Sequence, residues 1–127
     1  MTLTDGQTII PFDPARDHKA VGDDDRGPNT GGMGAFTPVA VPPRTTSQIE
    51  SQIVFPAVHA MNREGRRFQG FLYAGLMLTN QGPRVIEFNC RLGDPETQPL
   101  LMRLKSDLVP LLLATVDGKL DQQEAPV

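Results

Sequence analysis

Apolar residues change their period along this chain, and each change marks an element. Thr2–Thr4 and Thr8–Phe12 flank Asp5-Gly6, a dipeptide that favours a tight turn, so the chain opens on a short hairpin. From Asp13 to Pro43 no period is visible, with Gly, Pro, Asp and Asn throughout. Loops of that length in compact domains are usually functional or disordered. This one is not low in complexity and carries His, Lys, Arg and Asn between its glycines, which favours function. Between Thr45 and about Arg63, Ile49, Ile53, Val54, Val58 and Met61 recur at helical spacing and predict one apolar stripe. Ser47 with Glu50 reads as a capping box, so this helix starts there or a turn earlier. Pro56 inside it predicts a kink or a break, and Gly65 ends it.

Gly70 to Thr79 predicts a strand, Asn80-Gln81-Gly82-Pro83 a turn, and Arg84 to Cys90 an antiparallel return. Thr97 to Lys105 and Asp107 to Val116 read as helical segments parted near Ser106, which could cap the second. Met77, Met102 and the leucines of these last helices are most simply core. The order strand–strand–loop–helix–strand–strand–helix predicts an α+β domain, an antiparallel sheet with helices packed on one face.

Chemistry concentrates from Val85 to Pro99, V-I-E-F-N-C-R-L-G-D-P-E-T-Q-P. Glu87, Asn89 and Arg91 alternate with strand formers at period two and so share one face. A carboxylate and an amide about 7 Å apart along a strand suit a hard divalent cation. An arginine one step on can clamp an anion held by that cation. The plainer reading is a solvated sheet face. Asp94, Pro95 and Glu96 precede a helical pattern, where Asp94 as cap, Pro95 at the first position and Glu96 in the first turn explain the triplet as well as catalysis does. In the long loop, Lys19 could reach a phosphate and Asp17 could accept from an amine, or both could be merely solvated. The glycines of Thr30-Gly31-Gly32-Met33-Gly34 allow a run of backbone N–H groups to line an anion; a flexible connector has the same composition. Ala74-Gly75 allows close approach of a backbone or ligand, or plain sheet packing.

E-F-N-C-R-L-G-D-P-E-T-Q-P, with Y-A-G-L-M-L before it and M-R-L-K-S-D-L after it, resembles the phosphoribosylamine–glycine ligases of the ATP-grasp superfamily. D-H-K-A-V-G-D-D-D-R-G-P-N-T-G-G-M-G-A-F, from Asp17 to Phe36, resembles a long active-site loop of the same family. The resemblance runs from about Leu3 to about Leu120. It implies an ATP-dependent ligase of purine biosynthesis joining glycine to 5-phosphoribosylamine through a glycyl phosphate, with Mg²⁺ or Mn²⁺ as cofactor. Glu87 and Asn89 match the family's metal positions, and Arg91 matches one near the transferred phosphoryl group. Lys19 is the second catalytic candidate. Asp17, Asn29, Thr30, Gly31, Gly32, Gly34, Asp94 and Glu96 are expected to line substrates. Many ATP-grasp enzymes carry a further metal-binding acid on the preceding strand, and Phe71–Thr79 has none.

Members of this family are much longer, with a domain and a nucleotide-clamping part before this segment and a domain after it. The chain is therefore expected to be a fragment, inactive alone. Residues 1–120 would form the C-terminal half of an ATP-grasp catalytic domain, 13–43 its active-site loop, and 121–127 an unassigned tail. A non-catalytic binding or oligomerisation module is the alternative, self-associating through exposed surfaces. Biotin-type carboxylases resemble E-x-N-x-R but lack G-D-P-E-T-Q-P and the D-H-K loop.

Composition adds exclusions. Net charge is −3 with no basic run, which argues against a nucleic-acid partner. No apolar run approaches the roughly 20 residues of a membrane span, and no signal peptide is visible. The lone Cys90 excludes an internal disulfide. These features predict a cytoplasmic protein.

Overall fold

A computed structural model describes residues 1–124. Strands β1 (Thr2–Thr4) and β2 (Ile9–Pro11) form the expected hairpin, with Leu3 opposite Ile10. Its turn is closed by Asp5, whose Oδ1 accepts from the N–H groups of Gln7 at 2.9 Å and Thr8 at 2.8 Å. Gly6 takes φ +92°, a left-handed value that glycine adopts without strain.

Four short strands then pair as two ribbons, β3 (Arg16–Asp17) with β6 (Ala35–Phe36) and β4 (Ala20–Gly22) with β5 (Arg26–Asn29). The segment expected as a loop is thus a folded flap. Its strands are two to four residues long, too short to display a period. Arg16 Nη2 and His18 Nδ1 both bind Asp25, at 2.5 and 3.1 Å, and tie the ribbons together.

The long helix begins a turn before the capping box, as α1 (Pro43–Ile49), with Thr45 and Thr46 donating to Pro42 O. It continues through a wide π-turn (Glu50–Val54) into α2 (Phe55–Arg63). Pro56 does not break it: it stands in the first turn of α2, and the chain widens just ahead of it, Phe55 N–H reaching back to Glu50 O. Proline has no N–H and its ring crowds the carbonyl one turn back, and a widened turn relieves that conflict.

Strands β7 (Gly70–Thr79) and β8 (Gly82–Asn89) complete a four-stranded antiparallel sheet of order β2-β1-β7-β8. Helices α3 (Thr97–Leu101) and α4 (Leu108–Asp117) follow, then a final turn, Leu120–Gln122. The α+β class and the antiparallel sheet are as expected. The helices, expected on one face, divide between two. Leu3, Ile10 and Phe71 pack with Leu100 and Leu111 of α3 and α4, while Ile9 and Leu72 pack with Val54 and Val58. Adjacent residues of one strand thus serve opposite cores, so β1, β2 and the start of β7 are covered on both sides while β8 is largely exposed.

Three local expectations change. Asp107, not Ser106, caps α4, accepting from Val109 N–H at 3.0 Å. Helix α3 starts at Thr97 with no side-chain cap, so neither Asp94 nor Glu96 performs that role. Met77 and Met102 are exposed rather than core, at 56% and 88%. No described helix is long and apolar enough to cross a membrane. Of the expected tail, residues 125–127 lie outside the described residues.

Candidate active site

Beyond the core, β7 and β8 carry an open cleft of about 210 Å³ on the face that holds Phe71. Tyr73 pairs with Asn89 and Gly75 with Glu87, which sets Tyr73, Glu87 and Asn89 on that face. Ile86 is an extra residue between Glu87 and Val85, a bulge that shifts the strand's phase before the site and leaves Glu87 and Asn89 in step. A Cβ on Gly75 would stand 3.1 Å from Glu87 Cγ, so the close approach at Ala74-Gly75 comes from a partner-strand side chain. Arg91 lies past the strand's end, in a bend, where its Nη1 donates to Leu92 O at 2.9 Å. It reaches the cleft from there and not from the strand face.

The opposite wall comes from the flap and the Gly93–Glu96 turn. Lys19, Gly31, Asp94 and Glu96 join Glu87, Asn89 and Arg91 in lining the cleft. Lys19 Nζ donates to Asp17 Oδ2 at 2.8 Å. That hydrogen bond, with the nearby charges of Asp17, Glu96 and Glu87, raises the lysine's pKa against its partial burial, so it is an ammonium throughout the physiological range. Asp17 stands behind the lysine with its side chain 5% exposed and Oδ1 without a partner among the described residues.

The remaining loop candidates are not in the cleft wall. Asn29 pairs with Ala20 and is exposed. Thr30 donates through Oγ1 to Lys19 O at 2.8 Å and accepts from Gly32 N–H at 3.1 Å. The N–H groups of Thr30 and Met33 go to Lys19 O and His18 O, so much of the expected anion-lining run is spent within the loop. Gly34 accepts from His18 N–H. Gly32 is needed for a different reason: a Cβ there would lie 2.6 Å from Pro95 Cδ and about 3 Å from both Asp17 oxygens. Its bare Cα lets the flap close on the Gly93–Glu96 turn.

Tyr73 is the lining residue that sequence reasoning missed. Its hydroxyl donates to Glu96 Oε1 at 2.8 Å. Burial first, then the hydrogen bond and charge of Glu96, push the phenol's pKa well above its usual value. The available signal was a lone hydroxyl in the apolar run Phe71–Leu78, since a half-buried tyrosine needs a polar partner. That partner also explains why Glu96 does not cap α3: its carboxylate is turned inward and 4% exposed.

The class follows from comparison with known proteins: residues 1–97 match the family model described as phosphoribosylglycinamide synthetase, ATP-grasp (A) domain. Curated phosphoribosylamine–glycine ligases are similar along almost the entire chain. The Rhodopirellula baltica protein is 58% identical over 96% of this chain and 28% of its own length. The Vibrio vulnificus protein is 52% identical over 98% of this chain and 30% of its own. A crystal structure of the ligase from Thermotoga maritima superposes with a TM-score of 0.84 at 38% identity, covering 92% of this chain and 30% of that one. The chain belongs to the phosphoribosylglycinamide synthetase family. It spans less than a third of the length of these relatives.

Proposed function

We propose that this chain supplies the metal and acceptor side of an ATP-dependent ligase that joins glycine to 5-phosphoribosylamine. The observation that carries this reading is the convergence of Lys19 of the flap with Glu87, Asn89, Arg91, Asp94 and Glu96 of the 87–96 stretch into one cleft. In this reaction the γ-phosphoryl group of ATP passes to the glycine carboxylate, giving glycyl phosphate and ADP. The phosphoribosylamine nitrogen then attacks the acyl carbon and phosphate leaves. Arg91 and Lys19 are the fixed cations that would steady negative charge on the moving phosphoryl group and the acyl phosphate. Asp17, Asp94 and Glu96 would hold amine groups of substrates, with Asn29, Thr30, Gly31, Gly32 and Gly34 shaping the flap beside them.

Among the described residues no three histidine, cysteine, aspartate or glutamate side chains are placed together to hold a metal ion, so a divalent cation is supported by Glu87, Asn89 and the charge of the cleft. Oxygen donors dominate the cleft, and its carboxylates Glu87, Asp94 and Glu96, with Asp17 behind, outnumber the cations Lys19 and Arg91. Glu87 and Asn89 would hold Mg²⁺ or Mn²⁺. Such an ion would supply positive charge against the phosphates of the nucleotide. We assign residues 1–120 to the C-terminal half of the catalytic domain, acting in the cytoplasm.

Titration of the chain with Mn²⁺, followed by paramagnetic relaxation, tests the site. Binding that is lost in Glu87→Ala and in Asn89→Ala is expected; equal relaxation in all three proteins would remove the assignment. The chain alone is expected to show no glycine-dependent ATP hydrolysis, because half a site cannot preorganise a transition state. Turnover above that of Glu87→Ala would refute this.

A non-catalytic oligomerisation module remains the second reading. Its support is the apolar surface left open on α4, where Val109, Leu113 and Val116 are 58%, 61% and 75% exposed.

A further inference from the structure

Two buried carboxylates beside the cleft each lack one hydrogen-bond partner among the described residues, at Asp17 Oδ1 and Glu96 Oε2. An unpaired buried carboxylate oxygen is costly, so such atoms point to a donor that arrives with a ligand. For Asp17 the second oxygen is taken by Lys19; for Glu96 it is taken by Tyr73.

The surroundings of Tyr73 and Glu96 are close-packed and hold both side chains in place. Its ring passes between two glycines: a Cβ on Gly75 would stand 3.3 Å from Cε1, and one on Gly93 would stand 2.9 Å from Cε2. The same Cβ on Gly93 would fall 2.3 Å from Glu96 Oε2, so only glycine lets that oxygen take its place. Lys19 lies in the field of Glu96, and so does the Met1 amino group, whose own pKa burial lowers.

We propose that Tyr73 is a positioning residue: its hydroxyl fixes Glu96 through Oε1 and holds Oε2 as the acceptor for the ammonium N–H of a small amino acid bound in the cleft. The inference rests on the ligase reading and deepens it, naming the contact by which the amino end of the substrate is held. Tyr73 itself touches no reacting atom.

The test uses the full 127-residue chain labelled with ¹³C at glutamate carboxyl carbons. The Glu96 signal is assigned from Glu96→Gln. Glycine is titrated first, then trimethylglycine, which keeps the carboxylate but has no N–H. Mn²⁺ broadening of the Glu87 carboxyl signal, assigned from Glu87→Gln, reports the metal side independently. Glycine is expected to move the Glu96 signal and trimethylglycine to leave it. Tyr73→Phe keeps the ring between its glycines, and should weaken the glycine response about tenfold while Mn²⁺ broadening is unchanged. Equal glycine responses in wild type and Tyr73→Phe would overturn the proposal, as would an equal response to trimethylglycine. Loss of Mn²⁺ broadening in Tyr73→Phe would make the hydroxyl merely structural and overturn it too. A wild type that binds Mn²⁺ but ignores glycine sinks this inference alone. One that ignores both sinks the ligase reading with it.

Discussion

Asp5 shows how much one side chain can hold. Its Oδ1 accepts two N–H groups of the hairpin turn, and its Oδ2 accepts from Leu120 N–H at 3.2 Å, 115 residues away. Arg67 Nε donates to its backbone oxygen at 2.7 Å. Burial would raise the carboxyl's pKa, yet the three backbone donors and the Arg67 charge outweigh it and the pKa is lowered. A lowered folded-state pKa means that the stabilisation is complete above the unfolded value of 3.8 and is lost as pH falls through the folded value. Asp5→Asn should cost about 2 kcal/mol at neutral pH by weakening charge-assisted bonds. Urea unfolding at a series of pH values checks this: the gap between wild type and variant should close below about pH 4, and a gap that persists there would contradict it. Spacing alone marked Asp5-Gly6 as a turn. It held no hint of Leu120, because a contact between the two ends of a chain leaves no periodic trace.

Among the elements, those with a strong period were the most legible. Strand β7 runs Gly70–Thr79 as its apolar run predicts, and β8 returns from a turn at Asn80-Gln81. The flap was illegible because its pairing is carried by backbone bonds between two- to four-residue strands. Helix α4 was legible to within a residue at its start, but the choice between Ser106 and Asp107 as cap depended on backbone geometry. Asp107 has φ −68° and ψ 136°, the extended conformation of a capping residue. Replacing it with alanine should lower stability by about 1 kcal/mol, measured by thermal unfolding, while Ser106→Ala should change it by less. Equal losses would contradict the assignment. Helix α3 teaches the opposite lesson. Its sequence offers Asp94, Pro95 and Glu96 as an N-terminal signature, yet Tyr73 claims Glu96 and the helix starts without a cap.

For the whole molecule, the decisive feature is unequal burial. Leu3, Leu100 and Leu120 are at most 1% exposed, while Ile86, Leu113, Val116 and Met102 exceed 60%. Helix α4 is apolar nearly all round, and a helix of that kind is normally buried on every side. The oligomerisation reading takes this open face of α4 as the surface that meets a second copy of the chain. Light scattering across a concentration series should show mass rising with concentration, and Val109→Gln with Val116→Gln should suppress the rise. A constant monomer mass would argue against the oligomerisation reading. Periodicity and turn chemistry are local properties, so the hairpin, the β7–β8 pair, the main helices and the polar alternation that marks Glu87 and Asn89 are legible in the order of residues. Tertiary structure alone decided that the helices divide between two sheet faces, that the flap closes through Gly32 on Pro95, and that Tyr73 meets Glu96 across 23 residues. These are matters of which surfaces meet in space, and a contact between distant segments is encoded in their shapes together rather than in either one.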